Sequence, residues 1–221
     1  DPANPPTIQV QEGIVDPVAV SARSGHALVL QADGGVVAWG RNDHGQADVP
    51  DSLPPAVAIA AMDTGSLAVH ADGSVTGWGL NFNCGVGTGS IDVPLGVDIT
   101  DISGGNVHWL YRKTDGTVAG RGCNFNGQWN VPASAQPPVD FEANESWSCV
   151  LAPDGTISAF GYAGFGRLNT PSGNDFIDIA CGSYSGLGLR SNGTIVAWGD
   201  NGTGQGNVPS SLENVIAVEA G

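Results

Sequence analysis

Basic residues are scarce in this chain, and long apolar runs, blocks of like charge and a convincing helical period are missing altogether. Seven Lys and Arg stand against 22 Asp and Glu among 221 residues, a formal charge of −15. That balance opposes phosphate backbones and anionic membrane surfaces, so nucleic acid is not an expected partner. No apolar run approaches the length of a membrane span, so no membrane insertion is expected either. Charged residues make up only 13% of the chain, which spreads the acidity over a surface of Gly, Ser, Thr and Asn and reads first as a solubility device. The 34 glycines and 14 prolines would interrupt any helix.

The signatures of common chemistries are missing too. There is no dense Asp-x-Asp-x-Asp-Gly run for calcium, no Gly-x-Ser-x-Gly elbow, no Cys/His pair and no phosphate loop. Neither catalysis nor a metal or other cofactor is expected. Cys84, Cys123, Cys149 and Cys181 lack zinc or redox spacing; being four they allow three pairings, and Cys149 and Cys181 could equally be buried thiols. One Met, few Lys and Asn-x-Ser/Thr sites at Asn144, Asn192 and Asn201 together point to a secreted chain, and a start at Asp1 fits either a processed or a trimmed one.

What is present is repetition. Five segments share one order: Asp33-Gly34 to Trp39-Gly40, Asp72-Gly73 to Trp78-Gly79, Asp115-Gly116 to Arg121-Gly122, Asp154-Gly155 to Phe160-Gly161, and Asn192-Gly193 to Trp198-Gly199. Arg121 is the one break in the aromatic column. The closing glycines lie 39, 43, 39 and 38 residues apart, and the longest interval carries its extra residues in a loop around Cys84 to Asp92. A period near 40 residues marks a repeat architecture.

Fourteen residues before each closing glycine stand His26, Gly65, His108, Trp147 and Ser185. That constant spacing predicts two paired strands around an Asp-Gly or Asn-Gly turn with both central residues at positive φ. A third alternating segment precedes each pair: Val18–Val20, Val57–Ile59, Thr100–Ile102, Val139–Phe141 and Ile177–Ile179, with a leftover Val215–Val218. Each unit is a small antiparallel sheet that cannot bury both faces alone, and radial stacking solves that. The expectation is an all-β fold, a β-propeller of about five or six small antiparallel blades, its ring closed by terminal strands. Residues 1–13 form a lead-in with Thr7–Val10 as a closing strand, and residues 14–221 form one propeller domain.

The run from Thr194 to Pro209, with Trp198-Gly199-Asp200-Asn201, Gly204-Gln205 and Val208-Pro209, resembles the repeat of the regulator of chromosome condensation family. Its compact form is most similar to bacterial secreted propellers typified by a β-lactamase inhibitor. Copies one and three share the pattern through Asn42, Gly45-Gln46 and Asn124, Gly127-Gln128; copy two lacks the Gln, and copy four lacks both Asn and Gln. The resemblance implies a seven-bladed ring as the family norm, and a target enzyme held by aromatics on one face.

His26 and His108 share a column, which favours a structural role in which a ring nitrogen satisfies a turn carbonyl. The carboxylates Asp33, Asp72, Asp115 and Asp154 recur once per unit and read as turn formers. Function is therefore sought in the variable loops. The candidate partner-binding residues are His44, Phe82, His108, Trp109, Phe125, Trp129, Trp147, Tyr162, Phe165 and Tyr184. The expected partner is an extracellular enzyme or surface protein. Self-assembly into an adhesive or structural layer is a second reading, and stacking of sugars on Trp109, Trp129 or Trp147 a third.

Overall fold

In a computed structural model of the chain, residues 13–80, 96–212 and 214–220 are described. Thr7–Val10, Phe82 and the inserted loop with Cys84 lie outside them. The described residues form five three-stranded antiparallel sheets, each built from consecutive strands. The first strands are Pro17–Arg23, Ala56–Ala61, Ile99–Gly104, Asp140–Asn144 and Phe176–Cys181. The second are His26–Gln31, Gly65–His70, His108–Lys113, Trp147–Leu151 and Ser185–Arg190, and the third Val36–Gly40, Val75–Gly79, Val118–Gly122, Ile157–Gly161 and Ile195–Gly199. Each sheet is one propeller blade, and the first strands surround the central cavity.

The hairpin turns differ from the expected geometry. Gly34, Gly73, Gly116, Gly155 and Gly193 have φ between 78° and 85°, but the Asp or Asn before each does not enter the positive region. Gly34 N–H donates to the Gln31 carbonyl and Gln31 N–H to the Gly35 carbonyl, a type I turn followed by a glycine bulge. The acidic residue serves instead through its side chain. Asp33 Oδ1 accepts from Gly35 N–H, and Asp72, Asp115, Asp154 and Asn192 each accept from the amide two residues on. Three of the turns also anchor the next blade: Gly34, Gly73 and Gly155 carbonyls accept from Ala56, Ile99 and Phe176 N–H.

The apolar core is divided among the blade boundaries. Leu28, Leu30, Val36 and Ala38 of blade one pack with Ala56, Ile59 and Ala61 of blade two, and Val49 and Leu53 from the connecting loop fill the edge. Similar clusters join blades two and three, three and four, and four and five. A fifth joins Leu187, Leu189 and Ile195 of blade five to Val215, Val218 and Ala220. Of the two terminal segments expected at the closure, the C-terminal one thus seats on blade five.

Polar side chains tie the same boundaries. His26 Nε2 meets Ser66 Oγ at 3.1 Å and that hydroxyl donates to the Gln46 carbonyl at 2.8 Å; His108, Ser148 and the Gln128 carbonyl repeat the chain at 2.8 and 2.7 Å. Beyond the turn carbonyls expected for them, these imidazoles clamp the serine of the next blade. Burial holds both below the usual histidine range, His108 at about 3, so they stay neutral.

Cys149 and Cys181, which the sequence left open as thiols or a bridge, form a disulfide between blades four and five, and Cys123 is disulfide-bonded as well. The Cys149–Cys181 bridge closes a 32-residue separation, so the double variant C149A/C181A is expected to lose about 2–4 kcal/mol of stability. Urea unfolding of the two proteins side by side measures the difference.

Candidate functional site

Among the described loops that follow a third strand, those of blades one, three and five share a scaffold form and that of blade four departs from it. In blade one, Asn42 Nδ2 donates to Asp48 and its Oδ1 accepts from Ala47 N–H, while Gln46 Oε1 accepts from His44 N–H. Asn124 with Gln128 and Asn201 with Gln205 close their loops the same way. Gln46 and Gln128 are buried. These Asn and Gln side chains are absorbed in holding the loop.

Blade four has neither residue, and Arg167 occupies the glutamine position. Its backbone keeps the scaffold role, because the Arg167 carbonyl accepts from Trp198 Nε1 at 2.8 Å as the Gln46 carbonyl accepts from Trp78 Nε1 at 3.0 Å. Its side chain does something new. Arg167 is 1% exposed, and its guanidinium lies 5.3, 5.5 and 4.8 Å from the ring centres of Tyr162, Phe165 and Tyr184. Phe165 and Tyr184 meet edge to face at 5.2 Å. Among the described residues one carboxylate partners the cation, Glu145 Oε2 at 3.4 Å from Nη2, and Nε and Nη1 have no acceptor.

The backbone presents this cluster outward. Tyr162 follows closing Gly161, which is registered with Trp147; Tyr184 ends the turn before Ser185, which is registered with Gly199. Both loops therefore lie at the same end of their sheets. Phe165 sits at φ 64°, a left-handed conformation costly for an aromatic and characteristic of sites where side-chain placement is paramount. Tyr162, Phe165 and Tyr184 are 45%, 58% and 44% exposed although the cation lies beneath them.

Among the described candidate residues, the structure brings these three together around one cation. Phe125 stands exposed on the blade-three loop, and His44 is half-buried with its Nε2 3.8 Å from Asp43. Trp129 is partly buried against the boundary of blades three and four and donates to the Gly122 carbonyl. His108, Trp109 and Trp147 are corrected as contact residues: all three are at most 1% exposed, inside boundary cores, where no partner or sugar ring reaches them. Phe82 lies outside the described residues. Arg167 was not among the candidate residues; the signal was a cation standing in a column of glutamines.

A second polar concentration lines the central cavity of about 450 Å³, where Asp101, Asp140, Glu142 and Glu219 gather. Arg23 crosses it from blade one to donate to Asn144 Oδ1 and the Ala143 carbonyl. Among the described residues no three His, Cys, Asp or Glu side chains converge to hold a metal ion. Burial, then the charges of Asp140 and Glu219, push the Glu142 carboxyl up to about 8, against the Ser103 hydroxyl that donates to it at 3.1 Å. Glu142 thus holds a proton when folded that it loses when unfolded, and stability falls as pH rises from the ordinary 4.5 to about 8. Because Glu142 lines the cavity and is only partly buried, we expect this term to be about 2 kcal/mol, below the full linkage value. E142Q should flatten the slope relative to the parent in urea unfolding between those pH values.

Residues 18–46 and 176–205 match the regulator of chromosome condensation (RCC1) repeat. The fold is similar to that of Prp20p from Saccharomyces cerevisiae, whose structure was described together with its binding to Gsp1p and histones: TM-score 0.73, 17% identity, 88% of this chain and 59% of that one. It is also similar to the ectodomain of the Physcomitrella patens receptor kinase CR4 (TM-score 0.68, 22% identity, 87% and 54%) and to human WBSCR16 (0.66, 20%, 84% and 62%). The chain thus spans less than two thirds of each of these structures. Comparison with curated protein sequences found no match.

Proposed function

We propose that this RCC1-type β-propeller is a non-catalytic protein-binding module that holds its partner on the Tyr162, Phe165 and Tyr184 cluster, and that it works outside the cell, with a secreted enzyme or surface protein as its target. The observation that carries this reading is the exposed aromatic cluster built where one blade abandons the repeat's own loop. Three half-exposed rings are held in place by a buried cation, one of them at a strained backbone position. Rigid aromatics pre-placed on a surface are the usual anchors of protein interfaces. Prp20p and its complex with Kap60 supply precedent for protein binding on this fold. The inter-blade disulfide fits an oxidising compartment.

The test is a binding panel of secreted enzymes and cell-surface proteins against the parent chain and the F165A and Y184A variants. Both side chains are largely outside the cores, so the variants are expected to stay folded and to weaken the selected partner at least about tenfold, a loss of about 1.4 kcal/mol or more. A partner bound equally well by both variants, or a panel without any binder, would count against the proposal.

A further inference from the structure

Arg167 is a buried cation with unused hydrogen-bonding capacity. Its Nε and Nη1 have no acceptor among the described residues, although blades four and five are described without a gap from Asp140 to Gly206. Glu145 is a loose partner: its Oε2 stands 3.4 Å from Nη2, against about 2.7–2.9 Å for a usual charge-assisted hydrogen bond. Gln46 and Gln128, at the same place in blades one and three, bond within their own loops, so the open donors set blade four apart from them. A buried guanidinium in this condition costs free energy, and much of that cost is recovered when a charged acceptor completes it.

The rings above the cation leave a way in. Tyr162 and Phe165 come from the loop after the third strand of blade four and Tyr184 from the first turn of blade five, so the cover has a seam between two loops. Phe165 and Tyr184 meet edge to face across that seam at 5.2 Å, and both are about half-exposed, so the cover can part by side-chain rotation alone. Tyr162 is the fixed wall: its ring lies against Gly164, where a Cβ would fall 2.4 Å from the ring. The seam also prefers one sign of charge. With the guanidinium over one face of each ring, a second cation docking on the cluster meets a poorly screened like charge a ring's thickness away, whereas an anion meets an opposite one.

We infer that the cluster takes a carboxylate of its partner protein, which enters between Phe165 and Tyr184 and accepts hydrogen bonds from the free Nε and Nη1 of Arg167. This rests on the reading of the cluster as the binding face, and adds the chemistry that the face selects. A planar guanidinium suits a carboxylate through its forked donors, and rings that exclude water around the pair strengthen it. Glu145 has a second part in this arrangement. It partly neutralises the cation in the free protein, and its charge opposes the arriving carboxylate, so that a weak anion does not displace the closed state.

The probes are acetyl-aspartate N-methylamide, which carries a side-chain carboxylate, acetylglycine, which carries a terminal one, and acetyl-asparagine N-methylamide as the uncharged match. Each is titrated into the intact, isotope-labelled chain while magnetic resonance follows the Nε–H signal of Arg167, assigned by its loss in R167Q. At least one carboxylate should shift that signal and saturate in the millimolar range, and the asparagine probe should not; the tighter of the two identifies the source as a side chain or a chain end. E145Q should tighten the carboxylate at least about threefold, because a neighbouring like charge is gone, a direction that a purely structural cation would not produce. No shift with either carboxylate, an equal shift with the asparagine probe, or tighter binding of acetyl-lysine N-methylamide overturns the inference. A protein partner that needs Phe165 and Tyr184 yet binds E145Q no better than the parent also overturns it, and leaves the binding face itself in place.

Discussion

Replacing Trp147 by Ala is expected to remove about 3–5 kcal/mol of folding stability. Trp147 is fully buried between blades four and five, edge-on to Trp198 at 6.4 Å and packed with Cys149, Leu151, Phe176, Ile179 and Cys181. Its indole N–H donates to the Gly182 carbonyl at 3.1 Å, so truncation leaves both a cavity and a buried acceptor without its partner. A domain of this kind has a total stability of about 5–15 kcal/mol, so the loss is a large fraction of the whole. The melting temperature should fall by about 10 °C at this chain length. Scanning calorimetry checks it, and W147F, which keeps most of the volume, should recover the larger part. A small shift would mean that the boundary core is not the unit of stability.

Restoring the repeat's residue with R167Q is expected to separate stability from binding. Gln fits the equivalent place in blades one and three with its side chain buried and its amide bonded within the loop. The substitution removes a buried cation whose Nε and Nη1 lack acceptors, an arrangement that costs free energy despite Glu145. Against that stand three cation–π contacts, each worth roughly 0.5–2 kcal/mol. The two effects nearly cancel, so unfolding should move by no more than about 1 kcal/mol in either direction. Partner binding should nevertheless fall at least about tenfold, because Tyr162, Phe165 and Tyr184 lose the group that holds them as one surface. Binding that survives R167Q would show that the rings place themselves.

Much of this was legible from local pattern. The constant spacing from His26 to Gly40 and from Trp147 to Gly161 placed the start of the second strand and the end of the third, and both pairs are registered in the sheets. The turn glycines were placed correctly as well. The turn type was not, because an acidic side chain that caps the backbone amide two residues on looks in sequence like one that tolerates positive φ. The site was half legible: Tyr162, Phe165 and Tyr184 stood out as aromatics in Gly-rich loops, and blade four as a departure from the repeat. Trp109 and Trp147 looked the same by residue type and loop proximity, yet they stand at the starts of strands whose sides are covered by a neighbouring blade.

The repeat period, the strand pattern and the turn glycines were determined by the sequence alone, because each depends on residues within about 15 positions of one another along the chain. Whether a given residue ends up as core or surface was decided only in the assembled ring. Val20 and Ile59 share a repeat position and an apolar side chain, and they differ nearly ninefold in exposure because one has a blade packed against it and the other does not. Arg167 and Gln46 likewise share a position and a backbone role, and only the rings that converge from separate loops turn the arginine into the foundation of a site. Burial in a propeller belongs to pairs of blades some 40 residues apart, and no local pattern carries that information.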